Sequence, residues 1–376
     1  MRKDKIDIII PAYKAHKTMF RCLSAIVCQT VVDDITVTIV NDCCPEGDYG
    51  DFIKTFAPYM DIKEIRLSEN RGPGVARQTG IDSTDGEFIA FCDADDTFLS
   101  VRALEILRDE IQLDKAYKCA SSGFISARTD LSRPMRLHKT MVWVFGKLYR
   151  RDFLDEYNIR FLEGSRANED SGFNHIVGLL CDNPDEQIRY VEQNLYYYRD
   201  NPNSITKINN GQYWYDQCTC GGIDNTIYAI EHVRKYKPFS QEALRYAVGC
   251  MMHFYAYYVQ LMSNAPSYTV QLWEYIKKYY HRCYKPIENY ITDECFRVSY
   301  SRAIKSDIED GTLFGVIPKI AITEFMRRLQ TEEYDPNLIY EIWEEMREDP
   351  EFAEAMKNNV VCGVCAEGYT ERPKEG

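Results

Sequence analysis

Over its first 125 residues the chain switches between two hydrophobic periods. Ile6 to Ile10 is apolar except for Asp7 and stops at Pro11, as expected of a strand buried on both faces of a parallel sheet. From His16 to Gln29 the apolar residues Met19, Phe20, Leu23, Ile26 and Val27 recur at helical spacing. Ile35 to Val40 is a second strand ending on Asn41-Asp42, and a third lies near Ile62 to Leu67. Arg71-Gly-Pro-Gly74 is a turn whose Pro73 opens a helix toward Ile81. Glu87 to Cys92 forms a fourth strand and runs straight into Asp93-Ala94-Asp95-Asp96. A helix from about Ser100 to Leu113 and a strand near Ala120 to Ile125 continue the alternation.

This pattern predicts an α/β fold: a mostly parallel sheet with helices on both faces. Ligands of such sheets bind beyond the carboxyl ends of the strands. Tyr13, Asp42 and the Asp93 cluster each follow a strand's last apolar residues, so three polar sites should converge on one edge. From about Gly211 the strand signals fade. Tyr213 to Tyr236, Ser240 to Met262, Tyr268 to Tyr284 and Pro318 to Leu329 read as helices. The expected organisation is therefore a sheet domain over residues 1–210, a helical domain over 211–358 and a loose tail over 359–376.

Bulk composition narrows the function classes. A formal net charge of −13 argues against nucleic acid as a partner, since phosphate binding needs clustered Lys and Arg. The 28 tyrosines suit either sugar stacking or a helical core with hydroxyls at its rim, and the core reading takes more of the weight. No transmembrane segment is expected: the most apolar later stretch, Gly249 to Met262, is short and carries His253. With no signal-peptide core behind Met1, a cytoplasmic, reducing location is expected, and the 14 cysteines then read as free thiols. Cys362 and Cys365 form a lone CxxC, with Cys218 and Cys220 far upstream, which is a weak zinc signal.

Candidate chemistry lies at the strand ends. Three crowded carboxylates in Asp93, Asp95 and Asp96 repel one another unless a cation or donor array neutralises them. A hard divalent ion such as Mg²⁺ or Mn²⁺ would do so, completing its shell with phosphate oxygens; the bland alternative is an acidic turn before the next helix. Asp42 is either a turn aspartate or an acceptor for a base imide or ribose hydroxyl. Arg77, behind the Gly72-Pro-Gly74 loop, either clamps a diphosphate or pairs with Asp82. Glu169 and Asp170 open a helix holding Phe173, Ile176, Val177 and Leu180, where acids commonly complement the dipole or cap.

Taken in order, Ile8-Ile-Ile-Pro-Ala-Tyr13, Val40-Asn-Asp42, Asn70-Arg-Gly-Pro-Gly-Val-Ala-Arg77 and Gly86 to Asp96 resemble successive blocks of the family 2, GT-A type glycosyltransferases. Gly146-Lys-Leu-Tyr149, Glu169-Asp170 and Tyr197-Tyr-Arg199 with Ser204 resemble its later blocks, so the similarity covers about residues 5 to 206. The resemblance implies a Rossmann-like GT-A sheet and an inverting transferase using a nucleotide diphosphate sugar, UDP-sugar favoured, with Mn²⁺ or Mg²⁺. It implies that Pro11, Tyr13 and Asp42 hold base and ribose, that Arg77 and Arg199 lie near the diphosphate, and that Ala12 and Ala94 also bind the donor. Asp93 and Asp95 match the DxD positions, Asp95 being the better metal ligand. Asp170 matches the catalytic base, with Glu169 and His175 as fallbacks. Asn41 departs from the family, many of whose members carry an acid there.

The implied reaction is a single displacement. Asp170 takes the proton of an acceptor hydroxyl, on a glycan or another hydroxyl-bearing molecule, as that oxygen attacks the anomeric carbon. A carboxylate of ordinary pKa near ~4 is a weak base, so Asp170 should be partly desolvated. A nucleotidyltransferase is the competing enzyme reading, but Pro11-Ala-Tyr13 is no Gly-rich basic loop. A degenerate transferase serving as a scaffold is the non-enzyme reading, disfavoured by Asp93, Asp95 and Asp170. The helical region is expected to shape the acceptor side or an oligomer contact.

Overall fold

The computed structural model describes residues 1–126, 135–137, 141–165, 167–199, 201, 219–264, 266–309, 319–330, 333–350 and 353. Ser204, Cys218, the expected boundary at residue 210, the Cys362–Cys365 pair and the expected tail lie outside these residues. The chain divides into two compact units, residues 1–229 and 230–376.

The first unit is built on a nine-stranded sheet. Its strands are β1 (Arg2–Ala12), β2 (Ile35–Asn41), β3 (Asp61–Arg66), β4 (Gly86–Phe91), β5 (Thr97–Phe98), β6 (Cys119–Ser126), β7 (Met135–Leu137), β8 (Lys147–Arg150) and β9 (Ile188–Tyr198). The spatial order is β3-β2-β1-β4-β8-β6-β9-β5, with β7 paired to β6. From β3 to β4 every pairing is parallel, as the near-continuous apolar runs require. Beyond β4 the sheet is mixed. β8 is antiparallel to both β4 and β6, β9 runs parallel to β6, and β5 closes the edge antiparallel to β9. These later strands carry weak sequence signals. β8 is four residues long, and the β6–β9 register shifts at Ser122 and Gly123, which breaks the alternation of β9.

Helices cover both faces. α1 (His16–Val27), α2 (Gly50–Phe56) and α4 (Ala103–Gln112) pack Met19, Leu23, Ile26, Phe56, Leu104 and Leu107 into one core with Ile8, Ile10, Val37, Ile39, Phe88 and Ala90. α3 (Pro73–Asp82) lies on the opposite face, where a Cβ on Gly80 would stand 2.3 Å from a methyl carbon of Ile9. Only glycine permits this approach, and it brings the start of α3 to the ends of β1 and β4. α5 (Arg151–Glu156) and α6 (Glu169–Leu180) complete the unit's named helices before residue 181. α6 is seated by aromatic contacts: Phe173 stacks on Phe161 at 4.4 Å and meets Phe91 edge-on at 5.9 Å.

The second unit is helical, with helices Gln241–Asn264, Thr269–Tyr279, Asp293–Glu309, Lys319–Leu329 and Leu338–Glu345. Its core holds Tyr255, Tyr258, Trp273, Tyr279 and Phe325. Tyrosine is thus core material here, and two hydroxyls bond within it rather than at a rim. Tyr279 donates to the Ala247 carbonyl at 2.7 Å, and the Trp343 indole donates to Tyr255 at 3.2 Å. Among the described residues no helix is long and apolar enough to cross a membrane, and the described cysteines are free thiols.

Candidate functional site

The predicted residues gather at the carboxyl ends of β1, β2 and β4, where the parallel half of the sheet ends. Ala12 is buried, Pro11 half-buried and Tyr13 exposed, with the Lys14 ammonium 5.3 Å from the Tyr13 ring centre. Asn41 and Asp42 end β2. Asn41 is consumed internally: its amide donates to Glu64 at 2.7 Å and to the Gly47 carbonyl, while its oxygen accepts from the Cys44 N–H. Its departure from the usual acid therefore serves the loop after β2. Asp42 is buried, and its carboxylate accepts the backbone N–H of Arg71 at 2.7 Å and of Gly72 at 2.9 Å. It holds the loop that opens α3, with Gly72 at φ 86°, a conformation natural to glycine.

Arg77 is the electrostatic centre. Buried on α3, its guanidinium donates to Asp93 at 2.8 Å and to Glu169 at 2.6 Å, joining two acids 76 residues apart (169 − 93). The pairing with Asp82 does not occur; Asp82 accepts from Gln78 instead, because it lies one turn further along an exposed stretch of α3. Burial disfavours the charged guanidinium, but Asp93, Glu169 and Asp170 outweigh it and hold Arg77 protonated.

The three aspartates after β4 divide their tasks. Asp96 is fully buried and turned inward, accepting from the Tyr196 hydroxyl at 2.9 Å and from the Arg199 N–H at 2.8 Å. Burial, then Asp93 and Asp95, push its carboxyl well above the ordinary range. Asp95 accepts from the Asn201 amide at 2.7 Å and is raised by burial and by Asp93. Asp93 faces Arg77 through one oxygen. A hard cation fits this donor set: Asp93 and Asp95 supply two carboxylates, and burial with mutual repulsion leaves Asp95 short of positive charge.

Asp170 occupies the second position of α6, since the residue before the helix is Asn168, in the left-handed region at φ 61°. It is half-buried and accepts from the Ser171 N–H at 2.9 Å. Burial and the neighbouring Glu169 raise its carboxyl to about 7, against the opposing pull of Arg77. His175, one turn on, is lowered to about 4 by burial and is neutral at pH 7. Arg199 lies half-buried with its guanidinium 5.0 Å from the Tyr197 ring centre, and its Nε has no hydrogen-bond partner among the described residues.

Three participants escaped the sequence reading. Tyr196 ties together the Asp93 N–H, Asp96 and Cys92, and Asn201 holds Asp95. Glu169 pairs with Arg77, whereas sequence considerations ranked it as a spare base. Of Tyr196 and Asn201, which the sequence reading did not name, only Tyr196 left a trace, beside Leu195 in a buried stretch of β9.

Comparison with known proteins bears on this arrangement. Residues 7–167 match the model of the Glycosyl transferase family 2. The chain is 29% identical to the uncharacterized glycosyltransferase EpsJ of Bacillus subtilis, over 54% of its own length and 63% of EpsJ. It is 27% identical to the glycosyltransferase GlyA of Streptococcus pneumoniae, over 54% of the chain and 32% of GlyA. It therefore spans less than two thirds of these relatives. Its fold is that of S. aureus TarS residues 1–349, solved in complex with UDP: TM-score 0.59 and 16% identity, over 88% of this chain and 94% of that one.

Proposed function

We propose that this chain, whose residues 7–167 match the Glycosyl transferase family 2, is an inverting transferase moving a sugar from a nucleotide diphosphate sugar to an acceptor hydroxyl. The observation that carries the reading is the Arg77 bridge. A single buried cation links Asp93, on the donor side, to Glu169, the neighbour of a carboxyl raised to about 7. Paired machinery for leaving group and nucleophile is what a displacement at an anomeric carbon requires.

Asp170 is the proposed base. A carboxylate poised near the operating pH takes a hydroxyl proton far more readily than one of ordinary pKa. Arg77 steadies the carboxylates on both sides without itself giving up a proton. Asp93 and Asp95 would hold Mn²⁺ or Mg²⁺, which when bound offsets the charge growing on the departing diphosphate. Arg199 contributes in the same direction through a guanidinium whose Nε has no partner among the described residues.

A uridine donor is favoured. The TarS structures that share the fold carry UDP and UDP-GlcNAc, and the Asp42 carboxylate keeps lone pairs for an imide N–H beyond the two amides it already accepts. Pro11, Ala12 and Tyr13 would line the base. Thermal unfolding with Mn²⁺ tests this directly. UDP at a hundred times its Kd should stabilise the protein by about 2.7 kcal/mol. Stabilisation by GDP and not by UDP would overturn the donor assignment.

A further inference from the structure

We propose that the loop after β2 and the first turn of α1 form a zinc site made of His16, Cys44 and Glu46, separate from the aspartates after β4. A ring nitrogen of His16, the Cys44 Sγ and a Glu46 carboxylate oxygen all lie within 4.8 Å of one another. Tautomer chemistry makes this a site. His16 Nε2 lies 2.9 Å from the Asp48 carbonyl oxygen, which can only accept, so the ring proton is on Nε2. Nδ1 then presents a lone pair, is buried and has no hydrogen-bond partner among the described residues. Yet it stands 3.2 Å from a Glu46 oxygen, and two acceptors at that separation need either a proton or a metal cation between them. A histidine that donates its other N–H to a carbonyl is the usual arrangement of a metal ligand.

The third donor identifies the cation. Cys44 is fully buried, and its Sγ accepts the Lys14 N–H at 3.2 Å. Thiolate, imidazole and one carboxylate suit Zn²⁺, whereas Mg²⁺ and Mn²⁺ prefer oxygen. The ring is held in place by stacking on Tyr49 at 4.4 Å. The 3.2 Å nitrogen–oxygen separation matches two corners of a tetrahedron with bonds of about 2.0–2.1 Å. Binding would release the thiol proton to solvent as the sulfur–zinc bond forms, leaving the fourth position to water. The ion would clip the segment that begins at Asp42 to the start of α1, and so brace the residue that holds Arg71 and Gly72.

The test uses the reduced, chelator-treated full chain, titrated with Zn²⁺ against a chromogenic chelator and with Co²⁺ by absorption. One equivalent of Zn²⁺ should bind, persisting when Asp93 and Asp95 are both changed to Asn, and Co²⁺ should give a thiolate charge-transfer band in the near ultraviolet. Cys44→Ser should abolish the band. Cys43→Ser should leave it, because that thiol points to the Ser68 carbonyl. Glu46→Gln, at a half-exposed side chain that tolerates change, should weaken Zn²⁺ by about tenfold or more, the loss typical of removing even an outer partner. Three results would each overturn the proposal: no band in the wild-type protein, Zn²⁺ affinity unchanged by Glu46→Gln, or Zn²⁺ lost with the aspartates instead. In those cases the pair is held by a proton alone, as imidazolium and carboxylate.

Discussion

Gly74 lies directly beneath Glu169: a Cβ built on it would stand 3.1 Å from the Glu169 Cγ and 3.2 Å from its Cβ. The absence of a side chain at the start of α3 is what lets α6 deliver its first carboxylate to Arg77.

Gly74→Ala should therefore act on the site more than on the fold. Alanine gains up to about 1 kcal/mol over glycine in a helix, which offsets part of the crowding, so the melting temperature should change little. Transfer should fall several-fold as Glu169 shifts away from Arg77. Unchanged steady-state kinetics would remove Glu169 from the machinery.

Asp170→Asn should retain donor binding and lose transfer by about 10²-fold or more. In the unsubstituted protein kcat/KM should rise with pH through about 7, since only the deprotonated carboxyl accepts a proton. Stability runs the other way. Between about 4, where an unfolded carboxyl titrates, and 7, the folded chain keeps a proton that the unfolded chain has released, so stability falls as pH rises through that window. The Asn variant should flatten this slope. Activity retained in Asp170→Asn would eliminate it as the base, and Glu169→Gln would be the next variant to assay.

Asp95→Asn should weaken metal-dependent donor binding and stabilise the metal-free protein at pH 7. Burial and Asp93 raise this carboxyl, so its ionisation costs stability above the ordinary carboxylate range, and the amide removes that cost. The gain should vanish below about pH 4, where the carboxyl is protonated folded and unfolded. Denaturant melts at both pH values, with calorimetric titration of the donor in Mn²⁺, give the answer. An unchanged Mn²⁺ dependence would exclude Asp95 as a ligand.

Tyr196→Phe should destabilise by about 1–3 kcal/mol, because it deletes one of the two hydrogen bonds described on the fully buried Asp96 carboxylate. The ring's packing on Phe145 at 4.6 Å survives, so the loss isolates the hydroxyl. Chemical denaturation measures it; an effect below about 0.5 kcal/mol would mean that Asp96 is already protonated and needs no donor.

The local pattern of apolar residues was enough to set the parallel half of the sheet. Strands buried on both faces must be apolar throughout, and that is a local property of Ile6 to Ile10, Ile35 to Val40 and Glu87 to Cys92. It also determined that Tyr13, Asp42 and Asp93 share an edge, since each follows a strand of one direction. The tertiary structure alone decided the rest. No local pattern says that Arg77 faces Asp93 and Glu169 rather than Asp82, because the choice depends on how α6 docks through Phe161, Phe173 and Phe91. Nor could spacing show that Asp96 turns inward to Tyr196 while Asp95 meets Asn201. Charge pairing and burial are set by groups 16 to 106 residues apart, and the chain records them only once it is folded.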